Sequence, residues 1–253
     1  MLQVKGLVKR FGGLVALDTL DMHIADSEIL GVIGPNGAGK TTLFNVISGF
    51  FPPTNGTVIF DNREITGLRA DQVAEAGISR TFQAATLFMN LSVLDNVFVG
   101  CHLRYQTRIW RRVFRTPVAL KEEKDLRERA EAILRFMGLD SIKNELAMNL
   151  PHGYQKILSI CIALATGPKL LLLDEPVTGM NPTEIQAMVG LIRRIRDDGI
   201  TIAIVEHNMR TVVDLCDRLV VLNYGEKIAE GPPEEIMRNE QVIEAYLGEK
   251  EAV

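Results

Sequence analysis

The chain contains Gly34-Pro35-Asn36-Gly37-Ala38-Gly39-Lys40-Thr41, a glycine-rich loop that ends in lysine and threonine. The apolar residues 29–33 before it predict a buried strand, and the amphipathic residues 42–47 after it predict a helix. In a G-x-x-x-x-G-K-[ST] pattern, backbone N–H groups surround phosphate oxygens at the helix N-terminus. A loop that only caps a helix is the alternative. The flanking strand and helix favour a phosphate site.

The same pattern assigns roles to individual side chains. Lys40 is expected to reach the β- and γ-phosphates of a nucleotide, and the Thr41 hydroxyl is expected to ligate Mg²⁺. The nucleotide-binding residues predicted in this region are Asn36, Gly37, Ala38, Gly39, Lys40, Thr41 and Thr42.

Composition sets limits on the class of protein. The 253 residues are 47% apolar and 24% charged, which are ordinary globular values. The net charge of −4 gives no basic field that would favour nucleic acid. Cys101, Cys161 and Cys216 lack the spacing of a disulfide or zinc framework, so we expect buried thiols in a reducing compartment. No apolar run reaches the length of a membrane span, so work at a membrane would require recruitment.

Element patterns change along the chain. Short apolar runs separated by turns predict strands without helices in residues 1–33, helical periods dominate residues 87–165, and strands and helices alternate after residue 169. We therefore predict an α/β fold with a P-loop NTPase core, a mixed sheet, an antiparallel β subdomain and an inserted α-helical subdomain. The predicted boundaries are 1–86 and 167–240 for the core with its β subdomain, 87–166 for the helical subdomain and 241–253 for a C-terminal tail.

Residues 104–115 combine five arginines with three aromatic residues. A solvated helix with a basic face is the favoured interpretation. The alternative is a segment that lies against anionic headgroups or against a membrane partner.

A second motif consists of four leucines followed by Asp174 and Glu175. It places two carboxylates at the C-terminal edge of a strand, where α/β sheets bind ligands. In a P-loop protein Asp174 is expected to hold Mg²⁺. Glu175, on the other side of the strand, is expected to orient and deprotonate an attacking water. The two motifs together indicate hydrolysis of a nucleoside triphosphate.

Further motifs resemble those of ATP-binding cassette (ABC) ATPases and follow one another in the order of that family. They are the signature-like Leu150-Pro151-His152-Gly153-Tyr154-Gln155-Lys156, the Q-loop-like Arg80-Thr81-Phe82-Gln83, the D-loop-like Gly179-Met180-Asn181-Pro182 and the switch-like Val205-Glu206-His207-Asn208. The resemblance covers nearly the whole chain and implies the ABC ATPase fold, with ATP and Mg²⁺ as cofactors.

The resemblance also implies roles for residues outside the two motifs. Phe11 stands where the family stacks an aromatic ring on adenine, and Ala16 where it places a small neighbour of the base. Gln83 is expected to contact Mg²⁺ or the attacking water, and His207 to bind the γ-phosphate. The catalytic set so implied is Lys40, Gln83, Glu175 and His207, and the metal set is Thr41, Gln83 and Asp174.

Residues 151–153 are implied to cap the γ-phosphate of ATP held by a second subunit. Pro151, His152, Gly153 and Tyr154 stand where the family usually has Ser-Gly-Gly-Gln, and Asn181 replaces the D-loop aspartate. The implied assembly is a head-to-tail homodimer or a heterodimer with another ABC ATPase subunit, closed by ATP and released by hydrolysis.

Within the family, the middle of the chain and its C-terminal Glu244-Ala245-Tyr246-Leu247-Gly248 look most like subunits of branched-chain amino acid importers. This implies a cytoplasmic protein, peripheral on the inner face of the cell membrane, that powers transmembrane permease subunits and serves a solute-binding protein indirectly. The permease is expected to dock near residues 83–94. The alternatives are an importer subunit for another solute, a soluble ABC ATPase acting on ribosomes or DNA, and a P-loop kinase.

Overall fold

The structure is a computed structural model, and it describes residues 1–81, 87–104, 114 and 116–247. Within these residues the strands are β1 (Leu2–Phe11), β2 (Leu14–Ile24), β3 (Ile29–Ile33), β4 (Asn55–Phe60), β5 (Arg63–Glu64), β6 (Ile78–Arg80), β7 (Leu170–Asp174), β8 (Thr201–Val205), β9 (Arg218–Asn223) and β10 (Glu226–Gly231). The α-helices described are α1 (Lys40–Ile47), α2 (Ala70–Ala76), α3 (Val93–Gly100), α4 (Pro117–Met137), α5 (His152–Ala165), α6 (Pro182–Asp197), α7 (Met209–Leu215), α8 (Pro233–Ile236) and α9 (Glu240–Leu247).

The main sheet has six strands in the order β10-β9-β3-β8-β7-β6. Its neighbours pair in parallel except for β10, which is antiparallel to β9. Every residue of β3, β7 and β8 is buried, as expected for apolar strands that are covered on both faces. Because these strands are parallel, their C-terminal ends lie at the same edge of the sheet. The phosphate loop begins at this edge after β3, and Asp174 and Glu175 lie there at the end of β7.

A second sheet is antiparallel, with the order β2-β1-β4-β5. The predicted α/β class with a mixed sheet and an antiparallel β subdomain is confirmed. One continuous apolar core joins this sheet, helix α1 and the main sheet; it includes Leu2, Leu20, Phe44, Phe60 and Leu172. Helix α1 is therefore held by apolar packing, and the loop at its N-terminus is fixed with it.

Helices α3, α4 and α5 pack together around residues that include Val97, Leu134 and Leu158, none of which is exposed. Ser92 caps α3 by accepting a hydrogen bond from Asp95 N, and Thr116 caps α4 in front of Pro117. Helix α4 is terminated by its C-cap residue Gly138, which has φ of 78°, the left-handed conformation that glycine tolerates.

The described chain divides into two compact units. One comprises residues 1–80, 169–176 and 192–253, with 248–253 outside the described part, and it contains both sheets. The other, the helical unit, comprises the described part of residues 81–168 and 177–191 and contains α3, α4 and α5. Residues 177–191 group here with the helices, whereas the sequence prediction assigns them to the core. The predicted domain boundaries stay a prediction.

None of the described helices combines the length and the apolar composition that crossing a membrane requires.

Candidate functional site

The phosphate loop owes its shape to glycines in conformations that other residues avoid. Gly34, Gly37 and Gly39 have φ of 147°, 77° and 103°. A Cβ on Gly34 would lie 2.0 Å from the carbonyl oxygen of Leu222, and a Cβ on Gly39 would lie 2.6 Å from that of Ala16. The loop is therefore packed against its neighbours at two points, and only glycine fits either of them.

Lys40 begins α1, and its Nζ donates to the carbonyl oxygens of Gly34 and Pro35 at 2.6 and 2.7 Å. The ammonium group thus lies inside the curve of the loop, where the motif places the β- and γ-phosphates. The structure brings the predicted loop residues 36–42 together as one cradle at the N-terminus of α1. Asn36 and Ala38 also line a cavity of about 700 Å³ whose other walls include Tyr224, Lys227 and Glu244.

Of the two residues predicted to contact the base, Ala16 lies against the loop at Gly39. Phe11 ends β1 with 41% of its surface exposed. Its ring meets the Phe51 ring edge to face, with 5.4 Å between the ring centroids, and Lys9 Nζ lies 4.8 Å from the Phe11 centroid. A partly exposed ring held by neighbours is suited to stacking on a base.

Asp174 is the last residue of β7, and its side chain is 5% exposed. A carboxylate from Asp174 and a hydroxyl from Thr41 are hard oxygen donors, the class that Mg²⁺ prefers, so the residues present fit this metal. Among the described residues, no three histidine, cysteine or acidic side chains gather into a metal site.

Glu175 follows β7 in a left-handed conformation with φ of 47°. Its N–H donates to Val205 O at 2.9 Å, which fixes this turn against β8. The sequence prediction places the Glu175 side chain opposite Asp174, because side chains alternate along a strand. Glu175 lies in a turn after the strand, so this alternation does not set the direction of its side chain. The turned backbone sets it, and such conformations in residues other than glycine are typical of functional sites.

The structure brings Glu175 and His207 together, with 3.6 Å between Oε1 and Nδ1. His207 follows β8, and Glu206 holds the backbone there by accepting hydrogen bonds from His207 N and Asn208 N at 3.1 and 3.3 Å. Asn208 then caps α7. An acid and an imidazole lie side by side where an attacking water would be activated.

In the helical unit, Pro151 occupies the N-cap position of α5 without a side-chain capping bond, and His152 and Gly153 form the first turn of that helix. The ring of His152 lies against Gly179, since a Cβ on that glycine would be 3.3 Å from Cε1. Asn181 caps α6 by accepting from Thr183 N and Glu184 N, both at 3.0 Å. The amide oxygen of Asn181 thus does the capping work of an aspartate.

Two sequence predictions fall outside the described residues. One is Gln83. The other is most of the arginine-rich segment, namely residues 105–113 and 115. Of that segment Arg104 is described, and it donates to the carbonyl oxygens of Thr166 and Gly167 after α5.

The three thiols are unpaired and buried, as predicted. Burial raises the pKa of the Cys101, Cys161 and Cys216 thiols above the usual value for cysteine. At neutral pH they are protonated and unreactive.

Sequence reasoning missed Arg80 as a site residue. Its Nη2 donates to Asp174 Oδ2 at 2.7 Å, and both side chains are 5% exposed. The signal in the sequence is weak, because Arg80 is the first residue of the Q-loop-like motif and its partner Asp174 lies 94 positions further along the chain.

Comparison with known proteins agrees with this geometry. A sequence profile described as ABC transporter matches residues 17–178, and a profile described as branched-chain amino acid ATP-binding cassette transporter matches residues 226–252. The high-affinity branched-chain amino acid transport ATP-binding protein LivG of Salmonella typhimurium is 40% identical over 250 residues, which cover 98% of each protein.

Solved structures give the same result. The ADP conformation of an ATP-binding cassette of an ABC transporter has 32% sequence identity and a TM-score of 0.86, with 98% of each chain covered. A dimeric post-hydrolysis cassette bound to ADP and Pi has 26% identity and a TM-score of 0.77, with 92% of this chain and 99% of that chain covered. The matched sequence and the matched fold both extend over the phosphate loop, the two acids and His207. This chain therefore belongs to the ABC transporter family and is one of its ATP-binding cassettes.

Proposed function

We propose that this cassette is the ATP-hydrolysing subunit of an ABC importer for branched-chain amino acids. The pairing of Glu175 with His207 in the unit that holds the phosphate loop supports hydrolysis. The match of the C-terminal segment to the branched-chain profile supports the solute class.

Hydrolysis requires an activated water in line with the γ-phosphorus. Glu175 accepts a proton from this water as its oxygen bonds to phosphorus, and the bond from phosphorus to the bridging oxygen breaks, which releases ADP and phosphate. His207 orients the γ-phosphate, and Lys40 neutralises charge on the β- and γ-oxygens. Gln83 is proposed as a further contact to the water or the metal.

Mg²⁺, when bound with ATP, would neutralise the negative charge that develops on the phosphate oxygens. Thr41 and Asp174 are the residues of this chain that would hold it, with Gln83 proposed as a third. ATP itself is held by residues 36–42, with Phe11 and Ala16 at the base.

The proposed assembly is a dimer, either of two copies or with a second ABC ATPase subunit. Residues 151–153 of each subunit cap the γ-phosphate held by the other, because the first turn of a helix presents free N–H groups to an anion. The dimeric cassette similar to this chain supports this arrangement.

An exposed apolar surface in the helical unit supports a membrane partner. Phe88, Met89, Leu91, Leu146 and Met148 are all exposed there. Backbone hydrogen bonds from Met148 N to Met89 O and from Ala147 N to Leu91 O join the two segments. Since exposed apolar clusters mark interaction sites, we propose that permease subunits dock on this surface and hold the protein at the inner face of the membrane. A solute-binding protein takes part indirectly.

The proposal of hydrolysis is tested with the Glu175→Gln variant. We expect ATPase activity to fall at least about 100-fold, since general bases contribute about 10²–10⁴-fold, while ATP binding is retained. We also expect the variant to elute as a dimer with MgATP and as a monomer with ADP in size-exclusion chromatography. Full hydrolysis, or a strict monomer with ATP, would contradict the proposal.

The solute class is tested by reconstituting the cassette in liposomes with the permease subunits and the solute-binding protein proposed as its partners. We expect leucine, isoleucine and valine to stimulate ATPase activity and to be transported, with glutamate and lysine as controls. Stimulation by the charged amino acids alone would reject the branched-chain assignment and leave the hydrolytic mechanism intact.

A further inference from the structure

Arg80 forms a buried ion pair with the acid that is proposed to hold Mg²⁺. It is the last residue of β6, and its Nη2 donates to Asp174 Oδ2 at 2.7 Å. Burying two charges is costly, and replacing such a pair with apolar residues is often neutral or stabilising. Stability alone therefore gives a weak reason for an arginine at this position.

The second terminal nitrogen of the guanidinium group, Nη1, donates to a residue of helix α1 and to the C-cap residue of that helix. Nη1 of Arg80 donates to Asn45 Oδ1 at 2.6 Å and to Ser48 Oγ at 3.3 Å. The guanidinium carbon lies 5.7 Å from the centroid of the Phe44 ring. One planar group thus connects the end of β7 with the helix whose N-terminus forms the phosphate loop.

A carboxylate that ligates a metal needs a fixed orientation. Because Arg80 donates to Oδ2, it restricts rotation of the Asp174 carboxylate. Groups that orient a metal ligand in this way commonly change metal affinity about 10–100-fold when they are removed.

We propose that Arg80 is a positioning residue that holds the Asp174 carboxylate at a fixed position relative to α1. The carboxylate and the Thr41 hydroxyl would then be placed to bind the same Mg²⁺ ion. This inference rests on the proposed function, because it assumes that MgATP binds at this site. Lysine would be a poor substitute, since a single ammonium group lacks the planar fork that spans Asp174 and Asn45.

The test separates metal binding from nucleotide binding. Fluorescent ATP is bound to the Arg80→Met and Arg80→Lys variants in EDTA, and Mg²⁺ is then titrated into each complex. The matched control is Arg69→Met, which removes an exposed arginine paired with Asp71 in the same unit.

For Arg80→Met we expect at least about tenfold more Mg²⁺ at the midpoint and less than a twofold change in metal-free ATP binding. Arg80→Lys should lie between wild type and Arg80→Met, and Arg69→Met should match wild type. A wild-type Mg²⁺ midpoint in folded Arg80→Met would overturn the inference. Equal losses of metal-free and metal-supported binding would also overturn it, because they would indicate a role in folding alone.

If Arg80→Met does not fold, Asn45→Ala decides the question. It keeps the ion pair and removes the shorter of the two hydrogen bonds from Nη1. We therefore expect a roughly two- to fivefold higher Mg²⁺ midpoint with metal-free binding unchanged. An unchanged midpoint in this variant would refute the coupling to α1. If the role of Arg80 is refuted but the proposed function is correct, Glu175→Gln will still form a dimer with ATP. The two proposals can therefore fail independently.

Discussion

At the scale of single residues, the phosphate loop is limited by the space that its glycines leave free. Gly34 and Gly37 both have positive φ, but only Gly34 has a backbone atom where a Cβ would stand, with Leu222 O at 2.0 Å. Nothing lies within 4 Å of a Cβ at Gly37. The two glycines therefore meet different physical requirements within one motif.

This difference predicts different costs of substitution. Gly34→Ala should lower the free energy of unfolding by at least about 2 kcal/mol, because a left-handed conformation and a backbone clash combine. Gly37→Ala should cost only about 1 kcal/mol, from the left-handed conformation alone. Urea unfolding of the two variants measures this, and equal costs would show that the contact with Leu222 is relieved without strain.

At the scale of elements, a buried amide shapes the exposed apolar surface. Asn96 of α3 is fully buried, and its Oδ1 accepts from Phe88 N at 2.9 Å. Its Nδ2 donates to Phe88 O at 3.0 Å and to Ser92 O at 2.9 Å. One side chain thus satisfies the backbone of the segment that presents Phe88, Met89 and Leu91.

We predict that Asn96→Ala weakens coupling to the permease while basal ATPase activity is kept. Loss of the amide leaves buried backbone groups unsatisfied, which should cost about 2–3 kcal/mol of unfolding free energy and loosen the surface. Ser92→Ala is the matched control, since it removes one capping bond beside the same surface and should cost about 1 kcal/mol.

The measurement compares basal ATPase activity with permease-stimulated activity in liposomes. We expect stimulation to fall more in Asn96→Ala than in Ser92→Ala, with basal rates close to wild type in both. A parallel loss of basal and stimulated activity would argue that the segment supports the catalytic unit directly rather than a docking surface.

At the scale of the whole molecule, a charged network joins the two sheets of the nucleotide-binding unit. Arg218 of β9 donates to His23 O of β2 at 2.8 Å and pairs with Glu28 and with Glu230 of β10. Burial raises the pKa of Glu230, but the hydrogen bond from Lys227 and the charges of Lys227, Arg218 and His23 outweigh it and hold the pKa below the usual value.

A carboxyl whose pKa is lower in the folded state stabilises the protein above its unfolded pKa, which is about 4.3 for glutamate. That stabilisation is lost as pH falls through the folded pKa. We expect Glu230→Gln to lower the free energy of unfolding by about 1 kcal/mol or less at pH 7, since the group is partly solvent-screened.

The difference between wild type and Glu230→Gln should shrink below pH 4. Urea titrations at pH 7, 5 and 3.5 check this, with Glu226→Gln on the same strand as control. If the difference in unfolding free energy between wild type and Glu230→Gln grew as the pH fell, the predicted direction of the pH dependence would be wrong.

Several features of this protein are determined by local sequence. The loop of residues 34–41, the acids at the end of β7 and the histidine after β8 are recognisable because each motif is contiguous and lies next to a strongly apolar strand. The ABC ATPase fold follows from their order. By contrast, β10 has a polar composition and β6 has only three residues, so neither gives a period that sequence reasoning can detect.

Tertiary structure alone decided which distant side chains meet. Arg80 and Asp174 are 94 positions apart, and they pair because β6 lies beside β7 with Arg80 in register with Leu172. The left-handed turn at Glu175 and the contact of Arg80 with Asn45 likewise depend on neighbouring strands and helices. Sequence spacing does not encode such contacts, because parallel strands are joined by long connections whose length is independent of the register between them.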